Sequence, residues 1–168
     1  MTRVVLWLMR VLRWWPLPVL RALGAALGDL LYIAVPSRRR VALTNLTLCF
    51  PHWTPDYRTR MVREHFRYFA QAWLDRSWLW HADAGLVRRR VRLCGDLSVL
   101  QDTAQPVVVF APHFVGLDVG WTMLALSVDR AFTTIYTQQS NELIDRWVEK
   151  GRGRWGQVRL FRREAGVK

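Results

Sequence analysis

Cysteine is scarce in this chain: Cys49 and Cys94 are the only two, and they lie far apart in the sequence. Two separated cysteines provide no disulfide framework of the kind that holds small secreted domains together. The short Cys49-Phe-Pro-His52 spacing is typical of half a zinc site, but no second pair of ligands completes it. The sequence therefore predicts a reduced domain that faces the cytoplasm and uses no metal or other cofactor.

Acidic side chains are also few. The chain has 13 aspartate and glutamate residues against 25 lysine and arginine residues, a formal net charge of +12. This excess favours anionic partners, namely nucleic acid, anionic lipid headgroups or an acidic carrier protein. Tryptophan, in contrast, is abundant, with 10 residues. Because the indole combines an apolar ring with one N–H donor, it is favoured at membrane interfaces, and we predict membrane-lipid contact and no nucleic acid.

The second half of the chain alternates between segments typical of strands and segments typical of helices. Because 51% of the residues are apolar and no low-complexity tract is present, the composition disfavours a disordered chain. The predicted strands are Pro106–Ala111, Phe132–Tyr136 and Val158–Phe161, and the predicted helices are Leu117–Leu126 and Asn141–Glu149, closed by Gly151. Such alternation predicts an α/β fold.

Residues 4–35 form the most apolar stretch, which Pro16 and Pro18 divide into two helical pieces. The second piece, 17–35, has about the length that a bilayer core requires, yet it carries Arg21 and Asp29. These two lie eight residues apart on one helical face, where they could pair, or Arg21 could extend to the interface. We predict a membrane anchor or interfacial hairpin within 1–37; the alternative is a buried helix of a soluble fold.

Basic residues flank this segment on both sides, so its topology stays open. Arg38-Arg39-Arg40 follows it directly, as expected on the cytoplasmic side of a membrane. Further along, Thr54-Pro55-Asp56 is typical of a helix start, with a capping hydroxyl, a proline at the first position and an acid in the first turn. The apolar spacing that follows predicts a helix to about Trp80.

His113 and Asp118 follow the predicted strand Pro106–Ala111 closely. On one regular helix, residues five positions apart point about 140° away from each other, so the pair meets only if His113 lies in a loop and Asp118 in the next helix. A carboxylate bonded to one ring nitrogen fixes the tautomer and leaves the other nitrogen as a base. No serine or cysteine nucleophile lies in the motif, so the base would act on a substrate hydroxyl. A lone histidine near an aspartate is, however, more often structural.

The stretch His113-Phe-Val-Gly-Leu-Asp118 resembles the H-x4-D/E motif of glycerolipid and lipid A acyltransferases. Two further blocks narrow the resemblance to the late acyltransferases of lipid A biosynthesis, the lauroyl/myristoyl transferase family. One is Asn45-Leu46 with Cys49-Phe50-Pro51, and the other comprises Tyr136, Asn141, Leu143, Asp145, Trp147 and Gly151-Arg152.

The resemblance implies an enzyme of the bacterial inner membrane, with its catalytic domain on the cytoplasmic side. It would transfer a fatty acyl chain from acyl carrier protein to a hydroxyl of a lipid A precursor, in lipopolysaccharide biosynthesis. The expected fold is a glycerolipid-acyltransferase-like sheet flanked by helices, with the anchor in 1–37 and the N-terminal portion of the acyltransferase domain in 38–168. His113 and Asp118 would be catalytic, and Arg152, Tyr136 and Asn141 would bind substrate, with the Arg152 guanidinium on a phosphate.

Two departures from the family pattern qualify these expectations. Thr137 stands where many members have an arginine, which removes one expected headgroup contact. Family chains also continue well past the position of Lys168, so we expect the C-terminal part of the domain to be missing. Two alternatives stay open: an acyltransferase for another acceptor, such as ornithine lipid or glycerophosphate, and a non-catalytic membrane-bound remnant.

Overall fold

A computed structural model describes residues 1–165. The described helices are α1 (Thr2–Leu12), α2 (Leu17–Ala34), α3 (Pro36–Cys49), α4 (Pro55–Leu79), α5 (Ala84–Arg90), α6 (Ser98–Gln101), α7 (Leu117–Ser127) and α8 (Glu142–Arg152). The strands are β1 (Ala131–Tyr136) and β2 (Gln157–Arg162), and a 3-10 turn covers Arg163–Ala165. The chain divides into two compact units, Met1–Trp14 with Arg76–Lys168, and Trp15–Asp75. We call them the sheet unit and the helical unit.

The sheet unit is built on a β1–α8–β2 segment. β1 and β2 pair in parallel, in a register that runs from Ala131 opposite Gln157 to Tyr136 opposite Arg162. Parallel strands require a crossover, and α8 provides it. The buried core of this unit draws on several helices and on β1, with Trp78, Leu79, Val87, Met123, Phe132 and Trp147. A mainly helical chain with a small parallel sheet confirms the α/β prediction in this coarse form.

Most predicted elements of the second half are confirmed. The predicted strands Phe132–Tyr136 and Val158–Phe161 lie within β1 and β2, and the predicted helix Leu117–Leu126 lies within α7. The helix predicted at Asn141–Glu149 extends further, to Arg152, so Gly151 lies inside it rather than closing it. The glycine is explained by packing instead, because a Cβ at Gly151 would overlap the indole of Trp80.

The predicted strand Pro106–Ala111 is wrong: this segment has no regular secondary structure. Most of its side chains are open to solvent, with Val108 96% and Phe110 90% exposed. A central strand requires hydrogen-bonded neighbours, and within residues 1–165 the strands β1 and β2 pair only with each other. The larger acyltransferase-like sheet therefore stays a prediction.

In the helical unit, α2 packs closely on α4 through glycines. A Cβ at Gly28 would lie 2.6 Å from the Phe66 carbonyl oxygen and 2.6 Å from the Arg67 amide nitrogen. Leu20, about two turns earlier in α2, is also buried, with 1% exposure. The predicted break at the two prolines is confirmed, since α1 ends at Leu12 and α2 begins at Leu17.

The suggested pairing of Arg21 with Asp29 is wrong, because each pairs with α4 instead. Arg21 Nη2 donates to both carboxylate oxygens of Asp75, at 2.7 and 2.8 Å. Asp29 accepts from Arg63 Nε at 2.7 Å and from Arg67 Nε and Nη2 at 2.8 and 2.7 Å. Eight helical residues advance about 12 Å along the axis, too far for Arg21 and Asp29 to meet, whereas α4 offers opposite charges at both positions.

Replacement of Gly28 by alanine tests the α2–α4 contact. We expect Gly28→Ala to lower the free energy of unfolding by about 1–3 kcal/mol, because the added methyl group would meet rigid backbone. Gly120→Ala is the matched control: Gly120 lies in α7 with nothing within 4 Å of its missing Cβ, so alanine should be neutral or stabilising. The measurement is thermal unfolding in mild detergent. Equal stability of both variants would contradict the close packing.

Candidate active site

Asp118 lies in the first turn of α7 and is held by two arginines. Its Oδ2 accepts a hydrogen bond from Arg76 Nε at 2.8 Å, and its Oδ1 accepts one from Arg152 Nε at 2.9 Å. The three side chains are mostly buried, with 12% exposure for Asp118, 18% for Arg76 and 26% for Arg152. Asp118 also benefits from its place at the positive end of the α7 dipole. The site is thus a pre-ordered cluster of two cations and one anion.

Each arginine is fixed by the element that carries it. Arg76 lies in the last turn of α4, and its pKa is lowered, because burial outweighs the opposing effect of the charge and hydrogen bond of Asp118. Arg152 is the last residue of α8, and its backbone carbonyl accepts a hydrogen bond from Trp121 Nε1 of α7 at 2.9 Å. A guanidinium stays protonated at any ordinary pH. The cluster therefore keeps one positive charge in excess, which suits an anionic group of a substrate.

His113 lies in the loop before α7 and is exposed. Its ring makes no hydrogen bond or ion pair with any residue between 1 and 165. The predicted contact with Asp118 is therefore not formed in this structure, and the carboxylate oxygens of Asp118 accept charge-assisted bonds from two arginines instead. The predicted placement is found, with the histidine in a loop and the aspartate in the following helix. Catalytic roles for both residues stay predictions.

Tyr136, predicted to bind substrate, ends β1 and is 4% exposed. Its hydroxyl accepts a hydrogen bond from Arg162 Nε of the neighbouring strand at 3.0 Å, and Arg162 Nη2 also contacts Asp145 Oδ2 at 3.1 Å. Asp145 is 2% exposed, and its Oδ1 accepts from the Gln139 amide at 2.9 Å. These contacts order the β1–α8 connection, and substrate contact by Tyr136 stays a prediction.

Asn141, the other predicted substrate-binding residue, is the N-cap of α8. Its side-chain oxygen accepts from the amides of Leu143 and Ile144, at 3.0 and 3.3 Å. Its Nδ2 donates to Thr2 Oγ1 of α1 at 3.3 Å. Capping explains an asparagine at this position, and a role in substrate binding stays a prediction.

Sequence reasoning missed Arg76. This arginine lies 42 residues before its partner Asp118, in a helix whose other arginines are mostly on the surface, so no spacing distinguishes it. Sequence reasoning did single out Arg152, but as a phosphate ligand rather than as an ion-pair partner. Among residues 1–165, no group of three or more histidine, cysteine or acidic side chains is arranged to hold a metal ion.

Comparison with known proteins gives one consistent family. The family described as bacterial lipid A biosynthesis acyltransferase matches residues 1–168. The lipid A biosynthesis palmitoleoyltransferase of Escherichia coli K12 is 30% identical over 161 residues, which cover 94% of this chain and 51% of that protein. A lipid A biosynthesis acyltransferase of Shigella flexneri matches to the same extent. The lipid A biosynthesis lauroyltransferase of E. coli K12 is 27% identical over 157 residues, which cover 92% of this chain and 48% of that protein.

The chain spans about half the length of the curated relatives that it matches. No solved structure matches it.

Proposed function

Because the chain belongs to the bacterial lipid A biosynthesis acyltransferase family, we propose that the protein transfers a fatty acyl chain from acyl carrier protein to a hydroxyl of a lipid A precursor. The observation that carries the proposal is the family match over residues 1–168, together with the His113-x4-Asp118 motif within it. The electrostatics agree, because a chain of net charge +12 favours both a phosphorylated lipid and an acidic carrier protein.

In the proposed reaction, His113 is the general base. The acceptor hydroxyl gives its proton to a ring nitrogen of His113 while its oxygen attacks the thioester carbonyl. The tetrahedral intermediate then collapses, the carbon–sulfur bond breaks, and the carrier thiolate leaves and takes up the proton from the imidazolium. The exposed position of His113, without an intramolecular partner among the described residues, leaves the ring open to a substrate hydroxyl.

The arginine cluster has a separate task, which is to hold an anionic group of the acceptor. Arg152 uses Nε for Asp118, while its two terminal nitrogens make no hydrogen bond with any residue in 1–165. A planar guanidinium with free terminal N–H groups is suited to two phosphate oxygens at once. Asp118 would fix the direction of that guanidinium, and it could orient His113 only after the loop before α7 moves.

An acceptor comparison tests the substrate assignment. The complete product of the gene is incubated with acyl carrier protein loaded with a fatty acyl chain and with a lipid A precursor, an ornithine lipid or glycerol 3-phosphate. We expect an acyl ester on the lipid A precursor, detected by mass spectrometry. Ester formation on another acceptor alone would overturn the lipid A assignment. No ester on any acceptor would favour the non-catalytic membrane-bound alternative.

We also propose that the protein lies at the cytoplasmic face of the bacterial inner membrane. α2 is long and apolar enough to cross a bilayer. Its charged residues face α4, whereas Leu30 and Ile33 are 60% and 71% exposed. In the sheet unit, Trp7 and Trp14 are 60% and 73% exposed. Large exposed apolar side chains, with tryptophan among them, are typical of a surface that contacts a membrane.

Two acidic substitutions on the outer face of α2 test this placement. We expect the unchanged protein to stay in the membrane pellet after a high-salt wash, and Leu30→Glu/Ile33→Glu to be largely extracted, since each charge costs roughly 2–3 kcal/mol in a bilayer core. The control is Val108→Glu/Phe110→Glu. It introduces the same two negative charges at exposed apolar positions outside α2. Retention of both double variants would contradict anchoring through α2.

A further inference from the structure

A cavity of about 960 Å³ lies within the sheet unit, beside α1 and α8. We call it the α1–α8 pocket. Leu6 and Arg10 of α1 line it, as do Trp147 and Lys150 of α8 and Arg154 just beyond α8. Side chains from α1 and from α8 with the turn after it therefore converge on one concave surface, which is the usual form of a ligand site.

This pocket is separate from the candidate active site. His113, Asp118 and Arg152 are not among the described residues that line it. α8 serves both sites, because Arg152 points its guanidinium at Asp118 while Lys150 lines the pocket.

Among the described residues, four cations line the pocket, and one of them, Arg146, is paired with Glu142 at 2.9 Å, while the other three have no such partner. Arg10, Lys150 and Arg154 form no ion pair with any residue of the described chain. Within residues 1–165, the one acidic residue that lines the pocket is Glu149. Its carboxylate lies 3.8 Å from the guanidinium of Arg162, which does not line the pocket. Unpaired cations gathered on a concave surface produce a positive potential that favours an anionic ligand.

His81 adds a neutral donor to this surface. Its Nε2 accepts a hydrogen bond from Trp147 Nε1 at 3.0 Å, so the neutral ring carries its proton on Nδ1. Burial, followed by the positive charges of Arg10, Arg154 and two further cations, lowers the pKa of His81 to about 4. At neutral pH the ring therefore stays uncharged and offers one N–H, while the surrounding charge stays uncompensated.

Apolar side chains supply much of the remaining wall, namely Leu6, Trp80, Leu143, Trp147 and Val158. We infer that the α1–α8 pocket binds the phosphate group of an anionic lipid, with the phosphate on Arg10, Lys150 and Arg154 and the apolar part against these walls. Three cations, one from α1 and two from α8 and the turn that follows it, suit a group with several charged oxygens. The inference rests on the pocket itself and is independent of the proposed acyl transfer.

Binding of soluble probes to the complete protein in nonionic detergent tests the inference. The probes are inorganic phosphate, dihexanoyl phosphatidic acid and, without phosphate, dihexanoylglycerol. We expect the phosphatidic acid to bind and to raise the pKa of His81, followed by NMR, because the phosphate compensates the nearby cations. Arg10→Gln/Lys150→Gln should weaken its binding at least about tenfold, as expected for loss of charge-assisted hydrogen bonds.

Arg89→Gln/Arg159→Gln is the matched control, since it removes two exposed cations outside the pocket. It should leave binding unchanged, and equal melting temperatures would exclude unfolding as the cause in either variant. If inorganic phosphate bound as tightly as the phosphatidic acid, the pocket would bind free phosphate rather than a lipid, and this would contradict the inference. Equal loss of phosphatidic acid binding in both variants, or equal binding of dihexanoylglycerol, would overturn the site.

Discussion

Replacement of His113 by alanine is expected to lower the turnover rate of acyl transfer by about 10²–10⁴-fold, the usual contribution of a positioned proton transfer. The substitution removes the only base that the motif offers to the acceptor hydroxyl. It should leave folding intact, because His113 is exposed and makes no hydrogen bond or ion pair within residues 1–165. The measurement is the turnover rate at saturating donor and acceptor, with thermal unfolding recorded in parallel.

Phe114→Ala is the matched control for this experiment. Phe114 is the next residue in the same loop and is 71% exposed, so its loss perturbs the loop without removing a base. We expect the control to retain most of the activity. Near-normal turnover in His113→Ala would exclude His113 as the general base.

Replacement of Asp118 by asparagine is expected to impair both stability and activity. It removes the one negative charge between Arg76 and Arg152, and the two guanidinium groups then repel each other at a mostly buried site. Breaking a buried pair in this way costs on the order of 3 kcal/mol in unfolding free energy. Activity should fall as well, because the Arg152 guanidinium loses the partner that directs it. Asp118→Glu keeps the charge and should retain measurable activity.

Asp129→Asn provides the comparison, since it makes the same chemical change at an exposed position without an ion pair within the described chain. Its unfolding free energy should stay within about 0.5 kcal/mol of the unchanged protein, as is usual for surface substitutions. If Asp118→Asn were equally harmless, the arginine cluster would not be an ordering element of the site.

The sequence predicts local structure well where the signal is itself local. Pro16 lies between α1 and α2, and Pro18 lies in the first turn of α2. Thr54 directly precedes α4, and its hydroxyl accepts from the Tyr57 amide at 3.3 Å. These features depend on backbone dihedrals and capping, which a few adjacent residues decide. The segment Pro106–Ala111 differs, because a strand exists only when another strand pairs with it, and its apolar composition carries no information about a partner.

The sequence singled out His113, Asp118 and Arg152 of the candidate site, but it predicted neither Arg76 nor the contacts. The spacing of His113 and Asp118 suggested a loop followed by a helix, and this arrangement is found. The partners of Asp118 lie 42 and 34 residues away, on α4 and α8, and only tertiary packing brings them together. For the same reason, the sequence suggested that Arg21 pairs with Asp29, whereas α4 supplies a nearer partner for each.

Direct transfer to the acceptor, with His113 as base and no acyl-enzyme, is most directly tested by a rapid-quench single turnover. Acyl carrier protein bearing a labelled acyl chain is mixed with an excess of the complete protein, with and without lipid A precursor. Direct transfer predicts that labelled lipid appears at the rate at which the donor thioester disappears, and that no label accumulates on the protein. Label on the protein before product forms, or in the absence of acceptor, for example on Cys49 or Cys94, would contradict it.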